Sequence, residues 1–108
     1  MDLKLPKIIN EYVNATNAHN VTAILGCFAA TATVRDENQT VSGKKAIKDW
    51  ILRTIEKYDF RLEPLQMRQD EDEIALLARV SGTFPGSPVT LNYQFKIKSG
   101  KISSLSIQ

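Results

Sequence analysis

The chain has 108 residues, 43% hydrophobic and 24% charged, with a net charge of +2, which describes one globular domain over 1–108 and excludes a disordered chain. Its basic residues are scattered. Short groups at Lys44, Lys45, Lys48 and at Lys96, Lys98, Lys101 lack interleaved aromatics and read as solvated, so no nucleic-acid partner is expected. The longest strictly apolar run, 74–78, is far too short for a membrane-spanning helix.

Pro6 suits the first turn of a helix, where its missing N–H costs nothing. Ile8, Ile9, Tyr12, Val13 and Thr16 then form one helical stripe. The polar stretch 17–20 ends it, and Asn20 is placed to cap a short second helix whose apolar face is Val21, Ile24, Leu25 and Phe28. At 32–36 the period changes to two, with Ala32, Val34 and Asp36 on one face and Thr33 and Arg35 on the other. A polar turn over 36–39 follows. Ser42 is placed to cap a third helix over about 44–58, with a stripe of Ile47, Trp50, Ile51, Ile55 and Tyr58.

From Phe60 the pattern is strand-like to the end. The alternation changes phase across Pro64, which predicts a bulge or an edge strand there. An acidic turn over 70–73 leads to Ile74, Leu76, Ala78 and Val80 on one face. Residues 82–88 form a loop rich in Gly, Pro and Ser. Val89, Leu91, Tyr93, Phe95 and Ile97 alternate with polar residues, and Ser99-Gly100 turns into a last strand carrying Ile102, Leu105 and Ile107. The short connections predict antiparallel neighbours. The fold class is therefore α+β: helices against one face of a curved antiparallel sheet, with a pocket between them.

Cys27 is the only cysteine, so no internal disulfide forms, and it reads as a buried, inert thiol. One Cys and one His do not supply a zinc site, and no phosphate-binding loop is present, so neither metal nor cofactor is expected. Residues 1–7 carry no secretory pattern, and a cytoplasmic setting is expected, with the sequons at Asn14, Asn20 and Asn38 as chance matches.

Asp36 is the unusual residue. On an inward strand face it would lose hydration, which raises a carboxyl pKa and makes a competent base near neutral pH. Against this stands an ordinary role, capping backbone N–H groups at the following turn. Tyr12 lies on the buried stripe of the first helix. Its hydroxyl either meets a structural partner or donates to an oxyanion in a pocket. Trp50, Phe60, Tyr93, Phe95 and Phe28 are the candidate pocket wall or core.

Tyr12, Asn17-Ala-His-Asn20, Phe28-Ala-Ala-Thr-Ala-Thr-Val-Arg-Asp36, Gly43-Lys-Lys-Ala-Ile47, Leu91-Asn-Tyr-Gln-Phe95 and Gly100-Lys-Ile102 together resemble the SnoaL-like branch of the nuclear transport factor 2-like superfamily. The resemblance spans nearly the whole chain. It implies a cone-shaped roll, similar to the cystatin fold, with a pocket between helices and sheet, and homodimers formed through the outer sheet face. In the ketosteroid isomerases of that superfamily a first-helix Tyr donates to the oxyanion and an Asp ending the first strand moves the proton. Tyr12 and Asp36 resemble that pair. The isomerases' third group, a protonated Asp in a late strand, has no counterpart in Pro88-Val-Thr-Leu-Asn-Tyr93. Thr90 and Asn92 are the polar residues there, and both alternate away from the apolar face.

Three functions fit these residues: an isomerase or cyclase with Asp36 as base and Tyr12 as oxyanion donor, a non-catalytic module binding a small hydrophobic ligand, or a dimeric interaction domain with a small or filled cavity.

Overall fold

The computed structural model describes residues 4–108; the expectation for the start of the chain lies partly outside them. Helix α1 spans Lys7–Asn17, α2 Val21–Gly26 and α3 Lys44–Tyr58, and six strands follow the order β1 Phe28–Asp36, β2 Gln39–Ser42, β3 Arg61–Asp70, β4 Glu73–Ser81, β5 Val89–Lys98 and β6 Lys101–Ile107. They form one sheet ordered β2-β1-β6-β5-β4-β3. Every pair is antiparallel except β1 with β6, which are parallel. That exception has a topological cause: the last strand returns beside the first from the far end of the chain, so no hairpin dictates its direction.

The alternation read in the sequence sets the layers. Ala32 and Val34 on β1, Ile74, Leu76 and Ala78 on β4, Tyr93 and Phe95 on β5, and Ile102 and Leu105 on β6 are all buried. They pack against Ile9 and Val13 of α1 and Ile47, Trp50 and Ile51 of α3. Ile102 and Leu105 lie three apart, not two, because β6 shifts register against β5 between Lys96 and Ile97. A register shift between Pro64 and Gln66 sits on β3, the sheet edge, where a residue without an N–H costs no ladder bond.

Several local expectations change. Pro6 precedes α1 rather than sitting in its first turn. Phe28 does not belong to the second helix: α2 stops at Gly26 and Phe28 starts β1. A short strand, β2, fills residues read as turn and cap, because Glu37 and Asn38 both take positive φ, 52° and 63°. That is the backbone of a two-residue hairpin, which folds 39–42 back onto β1. The residue before α3 is Gly43 at φ 87°, with no side-chain cap, so Ser42 is not the cap.

Lys44 and Lys101 are not simply solvated. Each ammonium donates to a carbonyl at the end of α2, Lys44 to Leu25 O and Lys101 to Gly26 O, both at 2.7 Å. Two cations thus bind carbonyls at the C-terminal end of the short helix, where the backbone dipoles favour positive charge.

The polar stretch after α1 is a clamp. The Asn17 side chain donates to Leu62 O (2.9 Å) and accepts from Leu62 N–H (2.7 Å), as a neighbouring strand would. His19 Nε2–H donates to Phe60 O (2.9 Å), and Asn20 Oδ1 caps α2 by accepting from Ala23 N–H (3.1 Å). These bonds dock the end of α1 on the start of β3 and so fix one wall of the space enclosed by α1, α3 and the sheet.

Candidate functional site

A cavity of about 580 Å³ opens between α1, α3 and the sheet. Asp36, the last residue of β1, shares the inward face of Ala32 and Val34, which brings its carboxyl to the cavity wall. Trp50, one turn before Thr54 and two before Tyr58 on α3, faces it. The indole Nε1–H donates to Asp36 Oδ2 at 3.0 Å. Among the described residues no other side chain hydrogen-bonds this carboxylate.

Burial raises the Asp36 carboxyl above its ordinary value of 3.8. The Trp50 hydrogen bond pulls it back, and the neighbouring Glu37 charge pushes it further up. The result is a half-buried carboxyl oriented by an indole.

Tyr12 and Tyr93 line the same cavity, at 2% and 3% exposure. Burial raises both phenols well above 10.0, and the Asp36 charge adds to that in each. They therefore stay protonated at neutral pH and act as donors. Thr16 beside Tyr12 works against that rise, ahead of the Asp36 charge in size, yet Thr16 Oγ1 completes no hydrogen bond of good geometry. Among the described residues neither phenol hydroxyl has a hydrogen-bonding partner of good geometry. Two buried O–H donors and one carboxylate thus border one apolar space. Such a set can take a proton from carbon beside a carbonyl and hold the oxygen that becomes negative.

The structure brings Tyr12, Asp36, Trp50, Phe60 and Tyr93 together around the cavity. Phe28 and Phe95 do not line it. Their rings stand edge-on against Tyr12, with centroids 6.0 and 5.4 Å away, and are 1% and 2% exposed. Tyr12 covers them, so they support the wall from behind. Thr90 and Asn92 are not among the lining residues, consistent with their place in the alternation of β5.

Sequence reasoning left out the mouth. Tyr58 donates its hydroxyl to Glu37 Oε1, joining the end of α3 to the β1–β2 turn. Phe84 stands edge-on to Tyr58 with ring centroids 5.7 Å apart. Its loop is tied down by Thr83 N–H donating to Tyr58 O (2.8 Å) and Gly82 N–H donating to Ser87 Oγ (2.9 Å). The spacing Trp50, Thr54, Tyr58 was the available signal, since residues four apart share a helix face. Phe84 had none, because loop packing leaves no period.

Outside this cavity, Cys27 is buried beneath a groove between α1 and α2, and burial raises its thiol pKa. Among the described residues no three His, Cys, Asp or Glu side chains gather as a metal site requires, and no helix is long and apolar enough to cross a membrane.

The SnoaL-like domain family matches residues 9–105. The chain is 41% identical to a proposed polyketide cyclase from Sinorhizobium meliloti, with 96% of this chain and 95% of that one covered and a TM-score of 0.94. A protein of ketosteroid isomerase-like fold from Catenulispora acidiphila, solved in complex with trimethylamine, is 20% identical over 97% of this chain and 86% of its own, with a TM-score of 0.86. An epoxide hydrolase/cyclase-like enzyme of pyran ring formation in the polyether salinomycin is 20% identical over 94% and 86%, with a TM-score of 0.82. These last two share the fold. No curated protein matches the chain.

Proposed function

The chain belongs to the SnoaL-like domain family, and from that premise we propose that it is a cyclase or isomerase acting on a small, apolar carbonyl compound with side chains alone. Asp36 removes a proton from carbon beside the carbonyl. Tyr12 and Tyr93 donate to the oxygen as the enolate forms. The protonated Asp36 then returns its proton to another carbon, which gives isomerisation, or the enolate carbon attacks a second carbonyl carbon and the alkoxide so formed takes the proton back from Asp36, which gives ring closure and frees the base.

The observation that carries this reading is the Asp36 carboxyl, burial-shifted upward, bound by one indole and bordering a cavity that also receives two unpartnered phenols. Tyr93 supplies the second donor that the late-strand Asp provides in the isomerases. The resemblance to a proposed polyketide cyclase across 95% of that protein's length supports ring closure as the outcome.

The same apolar wall suits non-catalytic binding of a small hydrophobic ligand. The interaction-domain reading is weaker, because it expects a filled cavity and this one is open. The test is a panel of cyclic ketones and polyketide-like aromatic precursors, ranked by thermal shift and then incubated with protein. A saturating ligand at 100 times its Kd adds about 2.7 kcal/mol of stability. Product formed by the wild type and lost in Asp36→Asn supports the enzyme. Ligands that bind with no product after long incubation favour the binding module.

A further inference from the structure

The cavity is lopsided in charge. The chain carries 14 Lys and Arg against 12 Asp and Glu. Yet Asp36 and Glu37 line the cavity, and no Lys, Arg or His does. Much of the remaining wall is aromatic, including Trp50, Tyr58, Phe60 and Phe84. Lys57 sits outside this wall at the exposed rim, its Nζ 5.1 Å from the centre of the Tyr58 ring.

This combination has a direct electrostatic meaning. Aromatic faces carry the negative end of the ring quadrupole and attract cations. A carboxylate with reduced hydration attracts a cation more strongly than it would in water, and repels an anion equally. An anionic ligand entering here would lose its water and find no positive partner, which is the costly way to bury a charge. The two carboxylates also stand at different depths. Asp36 is half-buried beside Trp50, and Glu37 lies at the mouth, held by Tyr58.

We infer that the cavity selects ligands bearing a positively charged amine or ammonium group on an apolar ring skeleton, and rejects carboxylates and phosphates of the same shape. The inference rests on the cavity being the ligand site and deepens that reading by naming a substrate class. The ammonium group lies against the ring faces near Glu37 and Asp36, while the skeleton fills the apolar remainder.

Three probes of one shape separate the outcomes: 2-naphthylmethyl-trimethylammonium, 2-naphthylmethanol and 2-naphthoate. Their affinities are measured by calorimetry with the wild type, Asp36→Asn and Glu37→Gln. The expected result is an ammonium bound at least about tenfold tighter than the alcohol and a carboxylate at least about tenfold weaker than it. The ammonium advantage over the alcohol shrinks in each variant, and a cooperative thermal melt of each variant shows that it keeps the fold. Equal binding of all three, or tightest binding of the carboxylate, overturns the charge selectivity and leaves the cavity as a ligand site. An ammonium advantage unchanged in both variants overturns the role given to the two carboxylates. Failure of all three to bind overturns this inference together with the reading it rests on.

Discussion

Trp50 Nε1–H donates to Asp36 Oδ2 across 3.0 Å, joining the middle of α3 to the end of β1 at the cavity wall. The bond does two things at once. It satisfies the indole N–H, which a buried Trp requires, and it fixes the plane of a carboxyl whose charge burial opposes. An indole compensates less than an Arg would, so the carboxyl keeps a raised pKa and is a stronger base than an ordinary Asp.

That raised pKa fixes the sign of a stability effect. A carboxyl that holds its proton more tightly when folded adds nothing below the unfolded pKa. Its cost appears as pH rises past the unfolded value, where only the unfolded chain ionises, and is complete above the folded value. Asp36→Asn is therefore expected to raise stability at pH 7, by about 1 kcal/mol or less because the group is partly solvated, and to change nothing near pH 3. Thermal melts of both proteins across that range check it.

Trp50→Phe keeps an aromatic ring on α3 but removes the donor. The Asp36 pKa is expected to rise further, because the one side-chain bond favouring its charged form is gone. The cost to folding is about 1–2 kcal/mol from the lost bond and the smaller ring. Titration of the Asp36 carboxyl by NMR in both proteins measures the shift directly.

Tyr12→Phe and Tyr93→Phe separate folding from function. Neither hydroxyl has a protein partner of good geometry, so removing it should cost less than about 0.5 kcal/mol or stabilise slightly. If the two phenols hold an oxyanion, each change lowers turnover by about 100-fold or more. Urea denaturation beside a turnover assay reads both quantities on the same samples.

Gly82 is a packing requirement of the cavity mouth. A Cβ there would lie 2.3 Å from Tyr58 O, the oxygen that also accepts from Thr83 N–H. Gly82→Ala is expected to cost about 2–3 kcal/mol by displacing the loop, and to loosen the Phe84–Tyr58 contact. Gly86→Ala meets nothing within 4 Å but sits at φ 86°, so its penalty is backbone strain of about 1 kcal/mol. Denaturation of the two variants distinguishes a clash from strain.

Much of the architecture was legible because burial is periodic. The stripe through Ile9, Tyr12, Val13 and Thr16, and the alternation through Ile74, Leu76, Ala78 and Val80, are the faces that meet in the core. Parity placed Asp36 inward, and helical spacing placed Tyr12 and Trp50 toward it. What escaped had no period to follow. Phe28 reads equally well as the end of a helix or the start of a strand. Strand β2 exists because Glu37 accepts a left-handed backbone that its type does not favour. Phe95 continues the inward face of Tyr93, and only the position of the Tyr12 ring decides that it is core and not wall. The motif Asn17-Ala-His-Asn20, part of the family resemblance, works as a clamp on Phe60 and Leu62, which no local pattern announces.

The central claim is that Asp36 moves a proton to and from carbon inside this cavity. It is tested most directly by hydrogen–deuterium exchange at the α-carbon of a cyclic ketone shown to bind, such as 1-tetralone, followed by NMR in D2O. The account predicts that the wild type accelerates exchange over buffer and that Asp36→Asn, still binding the ketone, loses about 100-fold or more of that acceleration. Exchange in Asp36→Asn at the wild-type rate, or a wild type that binds the ketone and leaves its exchange at the buffer rate, would contradict it.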